Sequence, residues 1–282
     1  MLGVGESLHQ FRTKKGTVNE NKKAISYIVP DYKIFDFVNN GTAVWISKKS
    51  NQMLAGLKNK YSGQRCFIIG NGPSLTKEDL ELLKNEVTFA SNRIFKMFEQ
   101  TEWRPTYYAV FDDSVAADKD LQSNVNAMPC EGKFLRAQGW LSNRGINNPC
   151  YIHSFHSRKY LVTPEFSLDL SKGIFTIATV TYALIQIAYH MGFREIYLLG
   201  VDHKYRNEQK KDGTIIVNNT KSYFGDAGNF EKTVVAASWE MEEAYKFAEQ
   251  YSRENGFRIY NATRGGHLEI FERVDLDSLF QR

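Results

Sequence analysis

The chain has 282 residues, 42% hydrophobic and 24% charged, with a formal net charge of +4 and a pI near 8.7. This balance suits a globular chain with a sizeable core. It excludes a disordered or collagen-like polymer and is too weakly basic to call for a nucleic-acid partner. Three cysteines, Cys66, Cys130 and Cys150, with no CxxC spacing, exclude a disulfide framework and a cysteine zinc site.

Residues 1–60 carry Lys14, Lys15, Lys22 and Lys23 among polar residues, then short apolar pieces such as 27–29 and 43–46. No period emerges, and the stretch reads as an N-terminal extension that packs on a main domain, 61–282, or forms an interface, which leaves room for a homo-oligomer. A short helix is expected over 53–61. From residue 65 onward, strands and helices alternate. Strands are expected at 66–69, 87–90, 107–111, 133–135, 150–153, 195–199 and 258–260, and helices at 77–84, 176–191 and 234–255. Gly192 and Gly256 stand just past the two long helices, where a left-handed cap residue belongs. The pattern predicts an α/β, Rossmann-like fold: a mainly parallel sheet covered by helices on both faces. No apolar run reaches the length of a membrane span and no signal-peptide core opens the chain. The expected location is cytoplasmic, with room for peripheral contact with an anionic membrane face.

In such a sheet, ligands bind beyond the carboxyl ends of the strands. The first strand ends in Gly70-Asn71-Gly72-Pro73-Ser74, which reads as a phosphate-binding turn: two glycines for a sharp turn and close approach, then a helix start with Pro73 in its first turn. The turn lacks the third glycine of a dinucleotide fingerprint and the lysine of a P-loop. Polar groups recur at later strand ends: Asn92 and Arg93, Asp112 and Asp113, Asp202 and His203, and Asn261 to His267 with Gly265 and Gly266. The asparagines suit a ribose, base edge or sugar hydroxyl, or plain turn chemistry. Arg93 and Arg264 suit an anion or a surface ion pair. Asp112, Asp113 and Asp202 could hold Mg²⁺ against a diphosphate. Asp202 beside His203 could supply a general base, with His267, His153 and His156 as other imidazoles. Thr176, Thr179 and Thr181 at the start of the long helix suit phosphate binding, with N-capping by Thr176 as the plain alternative. The aromatic residues of 234–255, Trp239, Tyr245, Phe247 and Tyr251, read as core.

Four stretches together carry a family resemblance: Phe67-Ile-Ile-Gly-Asn-Gly-Pro-Ser-Leu75, Phe89-Ala-Ser-Asn-Arg93, Met191-Gly-Phe-Arg-Glu-Ile-Tyr-Leu-Leu-Gly-Val-Asp-His203 and Ile259-Tyr-Asn-Ala-Thr-Arg-Gly-Gly266. Over about 62–280 the chain resembles the superfamily of 6-hydroxymethylpterin diphosphokinases and flagellin-glycosylating motility accessory factors, in its stand-alone polysaccharide-locus form. It is more distantly similar to bacterial sialyltransferases that use CMP-sialic acid. The resemblance implies that Gly70, Asn71, Gly72 and Asn92 contact a nucleotide, with Thr179 and Thr181 near the donor. Those sialyltransferases place a catalytic-base histidine in a Tyr-x-Gly-His motif, where this chain has Tyr223-Phe-Gly-Asp226. The base therefore falls among Asp226, His203 and His267, with Tyr223 beside the departing phosphate.

Three readings follow. The first is a glycosyltransferase moving a sugar, such as a nonulosonic acid, from a CMP-type donor to a glycan or lipid-linked acceptor, with no cofactor required. The second is a diphosphokinase of the pterin type using ATP and Mg²⁺. The third is a nucleotide- or glycan-binding scaffold without catalysis.

Overall fold

The computed structural model describes residues 28–29, 32–36, 43–139, 143–155, 166–225 and 234–281, with side chains from Lys48 onward. Its centre is an eight-stranded parallel sheet: β1 Arg65–Ile69, β2 Val87–Ser91, β3 Tyr107–Val110, β4 Gly132–Arg136, β5 Cys150–Ile152, β6 Glu195–Leu199, β7 Arg258–Asn261 and β8 Glu272–Arg273. The spatial order is β8-β7-β6-β1-β2-β3-β4-β5, and every neighbouring pair is parallel. The chain winds outward from β1 to β5, returns to pair β6 with the other side of β1, and winds outward again. The switch point therefore lies between β1 and β6, and seven strands of the sheet fall where the hydrophobic runs predict them.

Both faces of the sheet are buried, which is why its strands read as continuous apolar runs rather than alternating ones. Cys66, Ile68, Phe89, Ala109, Ile196 and Leu198 point into one core. It is covered by α1 Lys48–Leu57, the long α5 Val180–His190 and α6 Ser238–Glu254, through Leu54, Leu184, Ile187, Tyr245 and Ala248. The alternate residues Phe67, Ile69, Ala90, Tyr108, Val110 and Leu199 point into a second core. There they meet Leu80 of α2 Lys77–Leu82, Val115 of α3 Asp113–Ala116, and Leu121 and Val125 of α4 Lys119–Ala127. The helix expected at 53–61 stands instead at Lys48–Leu57, and Ser50 Oγ accepts a hydrogen bond from Tyr151 N–H on β5 at 2.8 Å. The N-terminal strands Ile28–Val29, Tyr32–Asp36 and Ala43–Ser47 form an antiparallel sheet of their own.

Both long helices start later than expected, α5 at Val180 rather than 176 and α6 at Ser238 rather than 234, whereas α2 starts at 77 as its range gave it. Thr179, not Thr176, caps α5: its Oγ1 accepts from Thr181 N–H at 3.2 Å, and Ala178 immediately before it takes φ +52°. Pro73 and Ser74 lie in a turn closed by Leu75 N–H on Gly72 C=O, and α2 starts only at Lys77. A capping box of Thr76 and Asp79 fixes that start. Gly192 and Gly256 take φ +99° and +68° just past α5 and α6, as their cap role requires. Among the described residues no helix is long and apolar enough to cross a membrane.

Candidate functional site at the switch point

The turns after β1 and β6 are stitched together. Gly70 N–H donates to Leu199 C=O at 2.7 Å and Gly72 N–H to Gly200 C=O at 2.9 Å. A Cβ at Gly72 would overlap the Asp202 carboxylate and stand 2.6 Å from Gly200 O, and one at Gly70 would overlap Gly200 O. The two glycines thus admit the neighbouring turn of the same chain. Ser74 Oγ donates to Asp202 Oδ2 at 2.7 Å, so Asp202 is the strap that holds the first turn. Burial raises the Asp202 carboxyl above its ordinary range against the opposing pull of the Ser74 hydrogen bonds.

The loop after β7 locks this seam from behind. Thr263 Oγ1 accepts from Val201 N–H at 3.1 Å, and His267 N–H donates to Asp202 C=O at 2.7 Å. Asn261 bridges its own loop, accepting from Thr263 N–H and donating to Leu268 C=O. Arg264 clamps Asp79 and Asp277 rather than lining the cavity. Gly265, Gly266 and the exposed His267 side chain lie behind the seam and do not line the cavity in front of it.

That cavity, about 660 Å³, opens over the carboxyl ends of β1, β2, β3 and β6. Gly70, Asn71, Gly72, Asn92, Asp112, Asp113, Thr179, Thr181, Asp202, His203 and Tyr223 all line it. A narrower recess beside it is bounded by Asn71, Asn92, Arg93, Lys96, Val115, Tyr223 and Phe224. Pro73 and Ser74 stay outside both. The helix N-terminus facing the cavity is that of α5, through Thr179, Val180 and Thr181, and not that of α2.

Asn71 and Asn92 present the clearest request for a ligand. Asn71 Nδ2 donates to Ser91 C=O at 3.2 Å while its Oδ1 is buried without a partner. Asn92 takes φ +52°, its carbonyl accepts from Tyr108 OH at 2.7 Å, and its Oδ1 is likewise buried and unpartnered. Two orphaned amide acceptors at adjacent strand ends, each costing about 1–3 kcal/mol if left unmet, await donors.

His203 also takes a left-handed backbone, φ +51°. Its ring meets Tyr205 and Tyr245 edge-on with centroids 6.0 and 5.8 Å away, and its Nδ1 is buried without a partner. Burial lowers its pKa below the ordinary imidazole range, so it is neutral at pH 7 and able to accept a proton. His153 instead lies buried against Gln138 and Phe155, and burial pushes its pKa down to about 4. Asp226 and His156 lie outside the described residues.

The acidic and basic residues at the rim are largely engaged. Asp112 caps α3 through Ser114 N–H, Ser114 Oγ and Val115 N–H. Asp113 pairs with Arg136 at 2.6 Å, and Arg93 with Asp118 at 2.7 Å. Among the described residues no three His, Cys, Asp or Glu side chains gather as a metal site. Asp112 is taken up by its cap, Asp113 by Arg136 and Asp202 by Ser74. Sequence reasoning missed Arg136, Lys204, Tyr205, Ser222 and the cavity-lining role of Tyr245. Arg136 was within reach, since it ends β4 as Asn92 follows β2.

A doubly wound parallel sheet with an open crevice at its switch point defines an α/β, Rossmann-like architecture, the class in which ligands bind at that crevice. The chain belongs to the 6-hydroxymethylpterin diphosphokinase MptE-like family, which matches residues 46–208. Among solved structures, the MAf glycosyltransferase from Magnetospirillum magneticum AMB-1 is similar over 82% of this chain, at 16% identity and a TM-score of 0.50. This chain covers 38% of that one. The sialyltransferase CstII from Campylobacter jejuni, solved with the substrate analogue cytidine-5'-monophosphate, aligns over 74% of this chain and 84% of its own at 13% identity, with a TM-score of 0.40. No curated protein matches the chain.

Proposed function

We propose that the protein is a glycosyltransferase that binds a CMP-type nucleotide sugar in the switch-point cavity and passes the sugar to a glycan or lipid-linked acceptor. The observation that carries this reading is the pair of buried, unpartnered acceptors, Asn71 Oδ1 and Asn92 Oδ1, at the mouth of the narrow recess. Ribose hydroxyls and an exocyclic amine are donors that would satisfy them. The sequence stretches around both asparagines also resemble those of enzymes that use CMP-sialic acid.

In this reading the α5 N-terminus turns the positive end of its helix dipole toward the donor's phosphate. The acceptor hydroxyl attacks the anomeric carbon, the sugar–phosphate bond breaks, and the hydroxyl proton passes to His203. Tyr223, which borders both the cavity and the narrow recess, donates to the departing phosphate. His203 is preferred to His267 as base because the His267 side chain stands outside the cavity.

Thermal melting with ligands tests the reading. CMP without Mg²⁺ should raise Tm by about 5 °C or more at saturating concentration, and Asn71→Ala with Asn92→Ala should abolish that rise. Stabilisation by ATP only when Mg²⁺ is present would overturn it in favour of the diphosphokinase reading, which the family's description supports.

A further inference from the structure

We infer that the rim hairpin beside the cavity docks on an anionic lipid surface. The hairpin pairs Asn207–Gln209 with Ile215–Val217 in antiparallel register, next in the chain to residues that line the cavity. It is anchored by Ala236 N–H on Asn207 C=O and by Gln209 N–H on Ala236 C=O, both at 2.9 Å. Lys204 and Tyr205 on one side of it, and Val234 to Ala237 on the other, line the cavity.

Two features of this hairpin belong together. Ile215 and Val217 are 54% and 68% exposed and, two residues apart on one strand, share a face. With Val235 at 42%, they make up three of the five large exposed hydrophobic residues among the described ones. The stretch from 204 to 221 also holds five cations, Lys204, Arg206, Lys210, Lys211 and Lys221, against two acids, Glu208 and Asp212. It therefore carries +3 of the chain's net +4. Apolar side chains beside clustered lysines are what an interfacial segment needs: the first enter the acyl boundary and the second meet anionic headgroups. A second copy of the chain would meet like charge on this face, so the charge favours lipid over self-association.

What such a surface would present to the cavity rests on the transferase reading. The docking itself does not, and it can be measured without any donor. The full chain should sediment with vesicles of 30% phosphatidylglycerol in phosphatidylcholine, and at least about tenfold less with phosphatidylcholine alone or in 0.5 M salt. Lys210→Glu with Lys221→Glu, and separately Ile215→Ser with Val217→Ser, should each lower the partition about tenfold while leaving Tm unchanged, since these residues are exposed. Equal binding to both vesicle types, no binding to either, or variants that sediment like the parent would overturn the proposal. So would a concentration-dependent dimer that Ile215→Ser with Val217→Ser dissolves, which would make the face a contact between copies.

Discussion

At the scale of the residue, the cavity gathers backbone strain. Among the described residues five non-glycines take positive φ, and three of them, Asn92, Ala178 and His203, line this cavity. Asparagine tolerates that region; alanine and histidine hold it at a cost of about 1 kcal/mol or more each, sustained by surrounding packing. Such strain aims groups: it turns Asn92 and His203 inward at the ends of β2 and β6. If His203 is the base, its lowered pKa fixes the sign of the pH dependence. The kcat/KM for transfer should be flat above about pH 6.5 and fall tenfold per unit only below the depressed pKa, because protonation removes the base. A pH–rate profile that instead breaks above pH 7 would assign the base elsewhere. Asn92 and His203 are legible in the sequence because they follow apolar runs. Ala178 is not, since nothing in an alanine announces a left-handed backbone.

At the scale of the element, the two turns at the switch point behave as one unit. The seam of Gly70 and Gly72 against Gly200 and Asp202 leaves no room for a methyl group. Gly72→Ala should therefore destabilise the fold by about 3 kcal/mol, combining overpacking with disruption of the Ser74–Asp202 hydrogen bond. Gly56→Ala is the control: it lies in α1 with nothing within 4 Å of the added Cβ, and should stabilise by about 0.5–1 kcal/mol. Urea denaturation of both variants measures the contrast, and equal midpoints would deny the seam its tightness. Hydrophobic runs made the strands legible, because both faces of the sheet are buried. The helix starts were less so. Thr176, Thr179 and Thr181 are all plausible caps, and only the turn through Ala178 selects Thr179. α3 and α4 begin at the caps Asp112 and Asp118 inside a polar stretch whose buried apolar side chains are only Val115, Ala116, Leu121 and Val125. The two residues of β8 are too few to show a period.

At the scale of the whole molecule, the buried imidazoles tie stability to pH. His153 has a folded-state pKa of about 4, below the ordinary imidazole value, so the unfolded chain takes up its proton first as pH falls. Its contribution is fully present above about pH 6.5 and lost as pH falls through 4, a change of about 3 kcal/mol at most, with His203 acting in the same direction. Denaturation midpoints of the parent should drop between pH 7 and pH 4.5, and His153→Gln should flatten part of that drop; an identical slope in both would contradict the assignment. The strand order has a further consequence, for the chain as it is made. Arg65 on β1 pairs with Glu195 on β6, so the central strand of the sheet has one bare edge until residues 195–199 have been synthesised. At about 5–20 residues per second that interval lasts on the order of ten seconds. Throughout it Cys66-Phe-Ile-Ile69, an apolar segment, stands open to pairing with other nascent chains, and the same late closure that builds the ligand crevice sets the window in which a chaperone would matter most.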